Sequence, residues 1–319
     1  MDVGNHYCRG EYYWAHSVFG YREAELLTIL EVQKLTKRYG QQLAVNNISF
    51  ALEEGTATAL IGPNGAGKTT TLSMLAGLLK QTDGSVKWNH HSGIGFLPQQ
   101  PRFFPWLTAL EFTEMAARLS GVDAKKAVLQ SKKTLEFVGL DSVLHKKTGT
   151  FSGGMKQRLG LAQAIVHRPK LLLLDEPVSA LDPTGRREVM DLLKSLQQDT
   201  TILYSTHILN DAEQMTDQLL FMQHGELVEQ GSLEDVKMRH AEPRILVRFK
   251  EASEAAVFAS QADWAAELEG RAVILPAGSG GAGMKEVLAA LLENAEGVVG
   301  VEQQTATLEE IFLKVAGGK

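Results

Sequence analysis

The sequence predicts an α/β protein that is built on a mostly parallel sheet and carries a second, smaller α/β unit. Short apolar segments alternate with segments of helical spacing, which is typical of a parallel sheet covered by helices. A glycine-rich turn at residues 62–69 separates a predicted strand from a predicted helix. Another set of short strands and helices begins near Glu242-Pro243. We therefore expect domains over residues 29–240 and 241–319, preceded by an extension over residues 1–28.

The composition is that of a folded globular protein. The 319 residues suffice for two domains of about 150 residues each. With 44% hydrophobic and 22% charged residues, a disordered or collagen-like chain is excluded. The net charge of −6 gives no general attraction to nucleic acid, and we expect no nucleic-acid partner. Cys8, the single cysteine, excludes an intrachain disulfide and favours a reducing compartment.

The sequence shows no signal for membrane insertion or secretion. No stretch approaches the roughly 18 apolar residues that a membrane-spanning helix needs. The N-terminus lacks the apolar core of a secretory signal. We expect a protein that stays inside the cell and is recruited to a membrane if it works there.

Residues 1–28 concentrate aromatic side chains without a helical or strand period. They include four of the six tyrosines, namely Tyr7, Tyr12, Tyr13 and Tyr21. We predict a poorly ordered extension or sequence upstream of the natural start, because termini are often disordered unless they are tied down. A partner-binding tail is the third interpretation.

Periodicity and turn residues predict the elements of the first domain. Strands are predicted from Ile29 to Tyr39 and over residues 48–52, 56–61, 170–174, 201–205, 219–222 and 226–229. The last two form a hairpin around Gln223-His224-Gly225. Residues 103–150 are rich in helix, and helices are predicted over residues 69–79, 107–119 and 129–138.

The second unit, residues 241–319, is predicted to be a small α/β domain. Its predicted strands cover residues 245–249, 272–275 and 298–301, and its predicted helices cover residues 252–260, 284–292 and 308–315. Thr307 and Glu310 predict a capping box for the last helix. The run Gly278–Gly283 predicts a flexible loop. We find no catalytic constellation in this unit.

The turn between the third strand and the first helix fits the pattern G-x-x-x-x-G-K-[ST]. It consists of Gly62, Pro63, Asn64, Gly65, Ala66, Gly67, Lys68 and Thr69, and Thr70 follows directly. Glycines permit a tight turn whose backbone N–H groups cradle phosphate oxygens at a helix N-terminus. Lys68 can reach the outer phosphates, and the Thr69 hydroxyl can ligate Mg²⁺. The sequence therefore predicts a phosphate-binding loop for a nucleotide.

Two adjacent acids, Asp175 and Glu176, follow the apolar run Leu171–Leu174. In proteins with such a phosphate-binding loop, a neighbouring strand presents a carboxylate to Mg²⁺, and Asp175 is the candidate. Because strand neighbours alternate in direction, we expect Glu176 to point elsewhere. Glu176 is then the candidate general base that polarises the attacking water.

The segment Phe151–Arg158, which reads FSGGMKQR, precedes a helix and lies shortly before Asp175. It resembles the signature motif of ATP-binding-cassette (ABC) proteins, and the resemblance extends over about residues 29–235. Ser152, Gly153 and Gly154 match the signature residues that contact phosphate. Phe151 and Met155 stand where the family usually has leucine and glutamine. These departures leave hydrolysis intact in principle and put a side-chain role of the fifth signature position in doubt.

The resemblance also assigns expected roles to single residues. By this likeness Tyr39 stacks on adenine, and Gln99 touches Mg²⁺ or the attacking water. Asp182, in the segment Ser179–Asp182, matches the loop that crosses the dimer interface. His207 matches the switch histidine that contacts the γ-phosphate. With Lys68 and Glu176, Gln99 and His207 complete the expected catalytic set.

The resemblance to an ABC cassette implies a fold, cofactors and partners for this chain. The implied fold is a RecA-like parallel core with an antiparallel β subdomain and an inserted helical subdomain. ATP and Mg²⁺ are the implied cofactors. The cassettes of this family pair head to tail, as a homodimer or with a related cassette. A separate multi-spanning permease would hold the pair at the cytoplasmic face of the cell membrane.

The signature variant and the ending Leu308–Leu313 resemble the branch of single-cassette exporters for drugs, antibiotics or similar apolar cargo. We expect an export ATPase, and the aromatic segment Pro101–Trp106 beside Gln99 is the expected docking surface for the permease. An importer cassette is one alternative. A non-transport ABC ATPase that acts on DNA or ribosomes is another, although residues 100–151 leave no room for a long coiled coil. A cassette that only binds ATP as a regulator is disfavoured by Glu176 and His207.

Overall fold

The computed structural model describes residues 27–89, 93–179, 181–240, 243–261, 264–277, 281–293, 297–304 and 307–317. The predicted extension lies outside the described residues except for its last two positions, Leu27 and Thr28. Ala180 and Gly278–Gly280, which belong to two of the predicted loops, also lie outside them.

The described strands, numbered along the chain, are β1 (Thr28–Tyr39), β2 (Gln42–Glu53), β3 (Ala57–Ile61), β4 (Asp83–Trp88), β5 (Ile94–Leu97), β6 (Leu171–Asp175), β7 (Thr201–Thr206), β8 (Gln218–Gln223), β9 (Glu226–Ser232), β10 (Arg244–Phe249), β11 (Glu267–Glu269), β12 (Ala272–Pro276) and β13 (Val298–Gln304). The helices are α1 (Lys68–Leu75), α2 (Ala109–Leu119), α3 (Ala124–Phe137), α4 (Gly153–Ile165), α5 (Pro183–Leu196), α6 (Leu209–Met215), α7 (Leu233–His240), α8 (Ala252–Gln261), α9 (Met284–Glu293) and α10 (Leu308–Gly317). Two short 3₁₀ turns precede α4.

The main sheet has the order β5-β6-β7-β3-β8-β9. Its first five strands are parallel, and β9 alone pairs antiparallel with its neighbour. All residues of β3, β6 and β7 are buried, which is typical of parallel strands covered on both faces. The predicted parallel sheet is therefore confirmed, and the carboxyl ends of β3, β6 and β7 meet at one edge.

The alternation of side chains along the parallel strands divides the core into two layers. Leu171 and Leu173 of β6 face a layer that they share with β1, β2 and α1. Leu172 and Leu174 face the opposite layer, which contains residues of α4, α5 and the inserted helices. The antiparallel sheet β2-β1-β4 thus covers one face of the main sheet, and helices cover the other.

Several element ends differ from the sequence expectation. Strand β2 begins at Gln42 rather than residue 48, because it pairs with β1 directly from the tight turn after Tyr39. Helix α1 ends at Leu75 rather than residue 79, since Gly77 takes a φ of 72° and ends the helical turn. Strand β4 was not predicted because its half-exposed, polar sequence has no apolar run.

Helices α2 and α3, inserted between β5 and β6, pack on α4 and form a helical insertion in the main sheet's chain order. Thr108 and Glu111 form a capping box at the start of α2. Both helices fall within the region predicted to be rich in helix. Among the described helices, none is long and apolar enough to cross a membrane.

The last part of the chain forms a four-stranded antiparallel sheet of order β11-β12-β10-β13 with its own apolar cluster. Phe249 of β10 contacts Phe258 of α8, with ring centroids 5.5 Å apart. The predicted strands and helices of this α/β unit are present, together with the short additional strand β11.

Helix α10 returns from this unit to the core of the main sheet. Its side chains Leu308 and Ile311 are buried among main-sheet residues, and its Phe312 ring lies 5.7 Å from the Phe221 ring of β8. The predicted capping box is confirmed, because Glu310 N–H donates to Thr307 Oγ1 and Thr307 N–H donates to the Glu310 carboxylate. The last helix therefore belongs to the packing of the main-sheet core.

Candidate active site

The phosphate-binding loop occupies the turn between β3 and α1, as the sequence predicts. Gly67, with a φ of 106°, caps α1, and a methyl group on it would lie 2.5 Å from the Ala44 carbonyl oxygen. A methyl group on Gly62 would collide with the Met222 carbonyl oxygen. Both positions therefore require glycine, for close backbone approach and, at Gly67, for the left-handed conformation.

The Lys68 ammonium group lies inside the loop. Its Nζ donates to the Gly62 carbonyl at 2.7 Å and to the Pro63 carbonyl at 3.2 Å. It also lies 3.9 Å from Glu176 Oε1. Burial lowers the pKa of Lys68, while the Glu176 and Asp175 carboxylates oppose that shift. The Lys68 ammonium group is thus held between the phosphate-binding loop and the acidic residues Asp175 and Glu176.

Asp175 ends β6 and is fully buried. Its Oδ1 accepts a hydrogen bond of 2.6 Å from the Ser205 hydroxyl, and that hydroxyl accepts one of 2.9 Å from Glu176 N–H. Ser205 lies directly opposite Asp175 on the parallel neighbour β7. It therefore fixes both acidic residues. Sequence reasoning missed Ser205, because its role depends on the pairing of β6 with β7 rather than on a local pattern.

Glu176 lies at the centre of the constellation. Its Oε2 accepts from Gln99 Nε2 at 3.2 Å, and its Oε1 lies 3.2 Å from His207 Nδ1. Glu176 stands just beyond β6 with a φ of 46°. Its direction therefore diverges from that of Asp175 because the backbone turns after the strand, rather than through strand alternation.

A cavity of about 720 Å³ opens over this constellation. Of the residues predicted to bind nucleotide or to act on it, the following line it: Tyr39, Asn64, Gly65, Ala66, Gly67, Lys68, Thr69, Thr70, Gln99 and Glu176. Tyr39 is half exposed at the end of β1, and Lys37 Nζ lies 5.1 Å from its ring centroid. The cavity is also lined by Gln42, Leu43, Ala44 and His224, which the sequence analysis did not select.

The signature residues lie outside this cavity. Ser152 caps α4, and its Oγ accepts from Met155 N–H at 3.3 Å. Ser152 and Gly153 are exposed and Gly154 is half-buried. The departures from the usual signature point inward: Phe151 is buried in the main core, and Met155 packs against it. Both side chains therefore act in packing.

Asp182 also lies outside the cavity. It is exposed at the start of α5, where its Oδ1 accepts from Gly185 N–H at 3.1 Å. A link between the signature helix and the acids is present nonetheless, because Gln157 Nε2 of α4 donates to the Pro177 carbonyl at 2.8 Å. Gln157 was not selected from the sequence, which gives no sign of this long-range contact.

The predicted Mg²⁺ ligands form an oxygen donor set. Thr69 offers an exposed hydroxyl and Gln99 an amide oxygen in the cavity, whereas the Asp175 carboxylate is buried and is not among the lining residues. Within the described part of the chain, no three His, Cys, Asp or Glu side chains cluster as a complete metal cage. Mg²⁺ commonly takes one or two protein oxygens together with substrate phosphates, so these residues fit that ion.

Comparison with known proteins identifies the class to which this fold and site belong. The ABC transporter family matches residues 45–179, and the C-terminal domain of DrrA1-3-like ATP-binding proteins matches residues 231–316. The chain is 43% identical over 302 residues to the ABC transporter ATP-binding protein YxlF of Bacillus subtilis strain 168, covering 90% of this chain and 99% of that protein. The chain belongs to the ABC transporter ATP-binding proteins.

Two further comparisons are informative. The chain is 39% identical over 225 residues to the bacitracin transport ATP-binding protein BcrA of Bacillus licheniformis, covering 67% of this chain and 72% of that protein. The dimeric ATP-binding cassette MJ0796, solved with ADP and phosphate, is 27% identical with a TM-score of 0.59, covering 64% of this chain and 98% of that one. The predicted family, cassette fold and ATPase class are confirmed, and ATP is the nucleotide of this family.

Proposed function

We propose that this chain energises the export of a drug, antibiotic or other apolar cargo through a separate membrane permease, by hydrolysing ATP in the cavity over Glu176. The ATPase proposal rests on the position of the Glu176 carboxylate. Its oxygens lie 3.2 Å from Gln99 Nε2, 3.2 Å from His207 Nδ1 and 3.9 Å from Lys68 Nζ. Export is supported by the DrrA1-3-like C-terminal domain and by BcrA, which is named for bacitracin transport.

In this proposal the cavity holds ATP from end to end. The Tyr39 ring stacks on the adenine. The backbone N–H groups of residues 64–69 and the Lys68 ammonium group bind the phosphates, where the N-terminus of α1 adds partial positive charge. Thr70 completes the lining beside Thr69.

Thr69, Gln99 and Asp175 would hold Mg²⁺, which neutralises charge on the phosphates when bound. Ser205 keeps Asp175 oriented by its 2.6 Å hydrogen bond. This hydrogen bond engages Oδ1 of the buried carboxylate, so Oδ2 would be the oxygen offered to the ion.

Glu176 acts as the general base on the attacking water, a role typically worth 10²–10⁴ in rate. Gln99 is within hydrogen-bond reach of the same carboxylate and positions that water. His207, whose Nδ1 lies 3.2 Å from Glu176 Oε1, would contact the γ-phosphate. The ring is about half exposed, so it can move without disturbing the core.

Ser152, Gly153, Gly154 and Asp182 serve the site of a second cassette. All four lie outside their own cavity; Ser152, Gly153 and Gly154 present a hydroxyl and backbone N–H groups at the N-terminus of α4, which suits an anion, and Asp182 stands exposed at the start of α5. A head-to-tail pair, either a homodimer or a heterodimer with a related cassette, would complete each site with the partner's signature.

The permease docks beside Gln99. Phe104 and Trp106 are 45% and 64% exposed, and their ring centroids are 5.3 Å apart. An adjoining groove of about 610 Å³ contains Phe96 and Pro101 and is flanked by the exposed Leu119. An exposed apolar surface of this kind suits a protein partner. Because it lies next to Gln99, binding of the permease there would be felt at the catalytic site.

The domain organisation is part of the same proposal. Residues 29–240 form the cassette and residues 241–319 a small C-terminal domain whose last helix, α10, packs on the cassette core, with residues 1–28 as an extension. Docking on the permease places the cassette at the cytoplasmic face of the cell membrane.

The ATPase proposal is tested with Glu176→Gln. The variant should bind ATP, accumulate as an ATP-bound dimer in gel filtration, and hydrolyse ATP at least about 100-fold more slowly. Glu136→Gln, an exposed change on α3, is the matched control and should leave turnover unchanged. Undiminished turnover in Glu176→Gln would remove the general-base assignment.

The transporter proposal is tested by purifying the tagged protein from native membranes in mild detergent and identifying co-purifying chains by mass spectrometry. A stoichiometric multi-spanning protein supports it, whereas ribosomes or nucleic acid with intact ATPase activity favour the non-transport alternative.

Phe104→Asp should lose the membrane partner and keep ATP binding. Phe137→Asp, a similarly exposed aromatic on α3, is the control. Loss of both properties in Phe104→Asp would indicate misfolding instead.

A further inference from the structure

His224 lies in an unusual backbone conformation at the edge of the nucleotide cavity. It occupies the turn between β8 and β9 with a φ of 50°, a region that non-glycine residues rarely adopt. Its side chain is exposed and lines the cavity together with Tyr39 and the phosphate-binding loop. This conformation belongs to a two-residue hairpin turn, in which both central residues, His224 and Gly225, take a positive φ, and the turn thereby places the imidazole at the cavity.

The turn that carries His224 is fixed to two parts of the nucleotide site. Gly225 N–H donates to the Ala66 carbonyl of the phosphate-binding loop at 3.0 Å, and Asn46 N–H donates to the Gly225 carbonyl at 2.8 Å. The Asn46 side chain also donates to Glu226 Oε1 at 2.8 Å. His224 is thereby held between the loop and strand β2 and cannot drift away from the cavity.

The turn that carries His224 lies between two elements of the proposed ATP site. In the proposed ATP site, Tyr39 marks the adenine end of the cavity and Lys68 the phosphate end. The backbone neighbours of the His224 turn, Ala44 and Ala66, belong to the strand beyond Tyr39 and to the phosphate-binding loop. A nucleotide is ordered base, ribose, phosphate, so the part nearest His224 is the ribose.

We propose that His224 is a ribose-binding residue, which hydrogen-bonds the 2′- or 3′-hydroxyl of the nucleotide and so adds sugar recognition to the ATP site. This inference rests on the proposed ATP site. A neutral imidazole carries one donor and one acceptor nitrogen, and a ribose hydroxyl can meet either. One neutral hydrogen bond is expected to change affinity roughly 3- to 10-fold.

The test compares two nucleoside diphosphates by isothermal titration calorimetry on the full chain. ADP avoids hydrolysis, and 2′,3′-dideoxy-ADP lacks both ribose hydroxyls. The unmodified protein should bind ADP roughly 3- to 10-fold more tightly than the dideoxy analogue. In His224→Ala this ratio should fall to near one, with affinity for the dideoxy analogue unchanged. His224→Asn, which tolerates the left-handed backbone and keeps a donor and an acceptor, should retain part of the preference.

Two controls separate the possible failures. Arg168→Ala changes another exposed residue with positive φ (54°) that does not line the cavity, and it should leave the ratio unchanged. Lys68→Ala should lose affinity for both ligands. If Lys68→Ala loses affinity but His224→Ala keeps the full ratio, or weakens both ligands equally, the ribose assignment is overturned. If Lys68→Ala binds ADP normally, the nucleotide site itself is misassigned.

Discussion

The replacement Ser205→Ala tests whether one buried hydroxyl organises the acidic pair after β6. Ser205 is fully buried and makes two hydrogen bonds, donating to Asp175 Oδ1 at 2.6 Å and accepting from Glu176 N–H at 2.9 Å. Alanine keeps the backbone and the Cβ but leaves a carboxylate oxygen and an amide without this partner.

The expected loss of stability follows from the two groups that lose their hydrogen-bond partner, the Asp175 carboxylate and the Glu176 N–H. A hydrogen bond to a charged group contributes about 1.5–3 kcal/mol, and a buried N–H without a partner costs about 1–3 kcal/mol. We expect the free energy of unfolding to fall by about 3 kcal/mol. Since Glu176 loses the anchor of its backbone, kcat for ATP should fall by about 10-fold or more with little change in KM.

Urea unfolding, followed by intrinsic fluorescence, measures the first effect as a shift in midpoint at constant slope. Ser195→Ala is the matched control, because Ser195 is exposed and its hydroxyl donates to the Leu192 carbonyl within α5. A loss below about 1 kcal/mol in Ser205→Ala, close to that of the control, would refute the reasoning.

Three further outcomes are expected. Gly67→Ala should weaken ATP binding more than 10-fold in calorimetry, because its methyl group would lie 2.5 Å from a carbonyl oxygen, whereas Gly77→Ala, with open space around it, should not. Phe151→Ala should lower the free energy of unfolding by about 3–5 kcal/mol in urea titration and leave ATP affinity of the single cassette unchanged. Ile311→Ala should cost about 2–4 kcal/mol in the same assay, and a cost near zero would contradict the packing of α10.

The part of the site that could be predicted from the sequence is the part encoded locally. The phosphate-binding loop is a continuous segment whose glycines are required by the backbone, so its pattern and its structure coincide at Gly62 and Gly67. Asp175 and Glu176 are likewise marked by the apolar strand before them. Each prediction needed only a few neighbouring residues.

The parts that were missed depend on distant segments. Ser205 acts through the parallel register of β6 and β7, which no local pattern reveals. His224 reaches the cavity because a hairpin far along the chain bonds to Ala66. The turn at Gln223–Gly225 was predicted from the sequence, but its contact with Ala66 was not. Glu176 shows a further limit, since its direction depends on a φ of 46° that strand alternation does not anticipate.

The fold was predicted best where apolar segments are continuous. Strands β3, β6 and β7 are fully buried, and their near-continuous apolar sequences were sufficient to predict them. Strand β4 is half exposed and polar, so its place in the antiparallel sheet follows only from its pairing with β1. Helix α10 was predicted correctly, but its contact with Phe221 was not, because helical spacing does not reveal which core a helix covers.

The return of α10 to the main core affects the order in which the protein matures on the ribosome. Domains generally fold as they emerge, beginning with the N-terminal one. Here the apolar surface around Phe221 stays uncovered until β10–β13 and α8–α9 have been synthesised, because only then does α10 follow. During the synthesis of these intervening elements, the nascent cassette therefore exposes the apolar surface around Phe221. Folding of the small antiparallel sheet brings α10 to that surface and covers it.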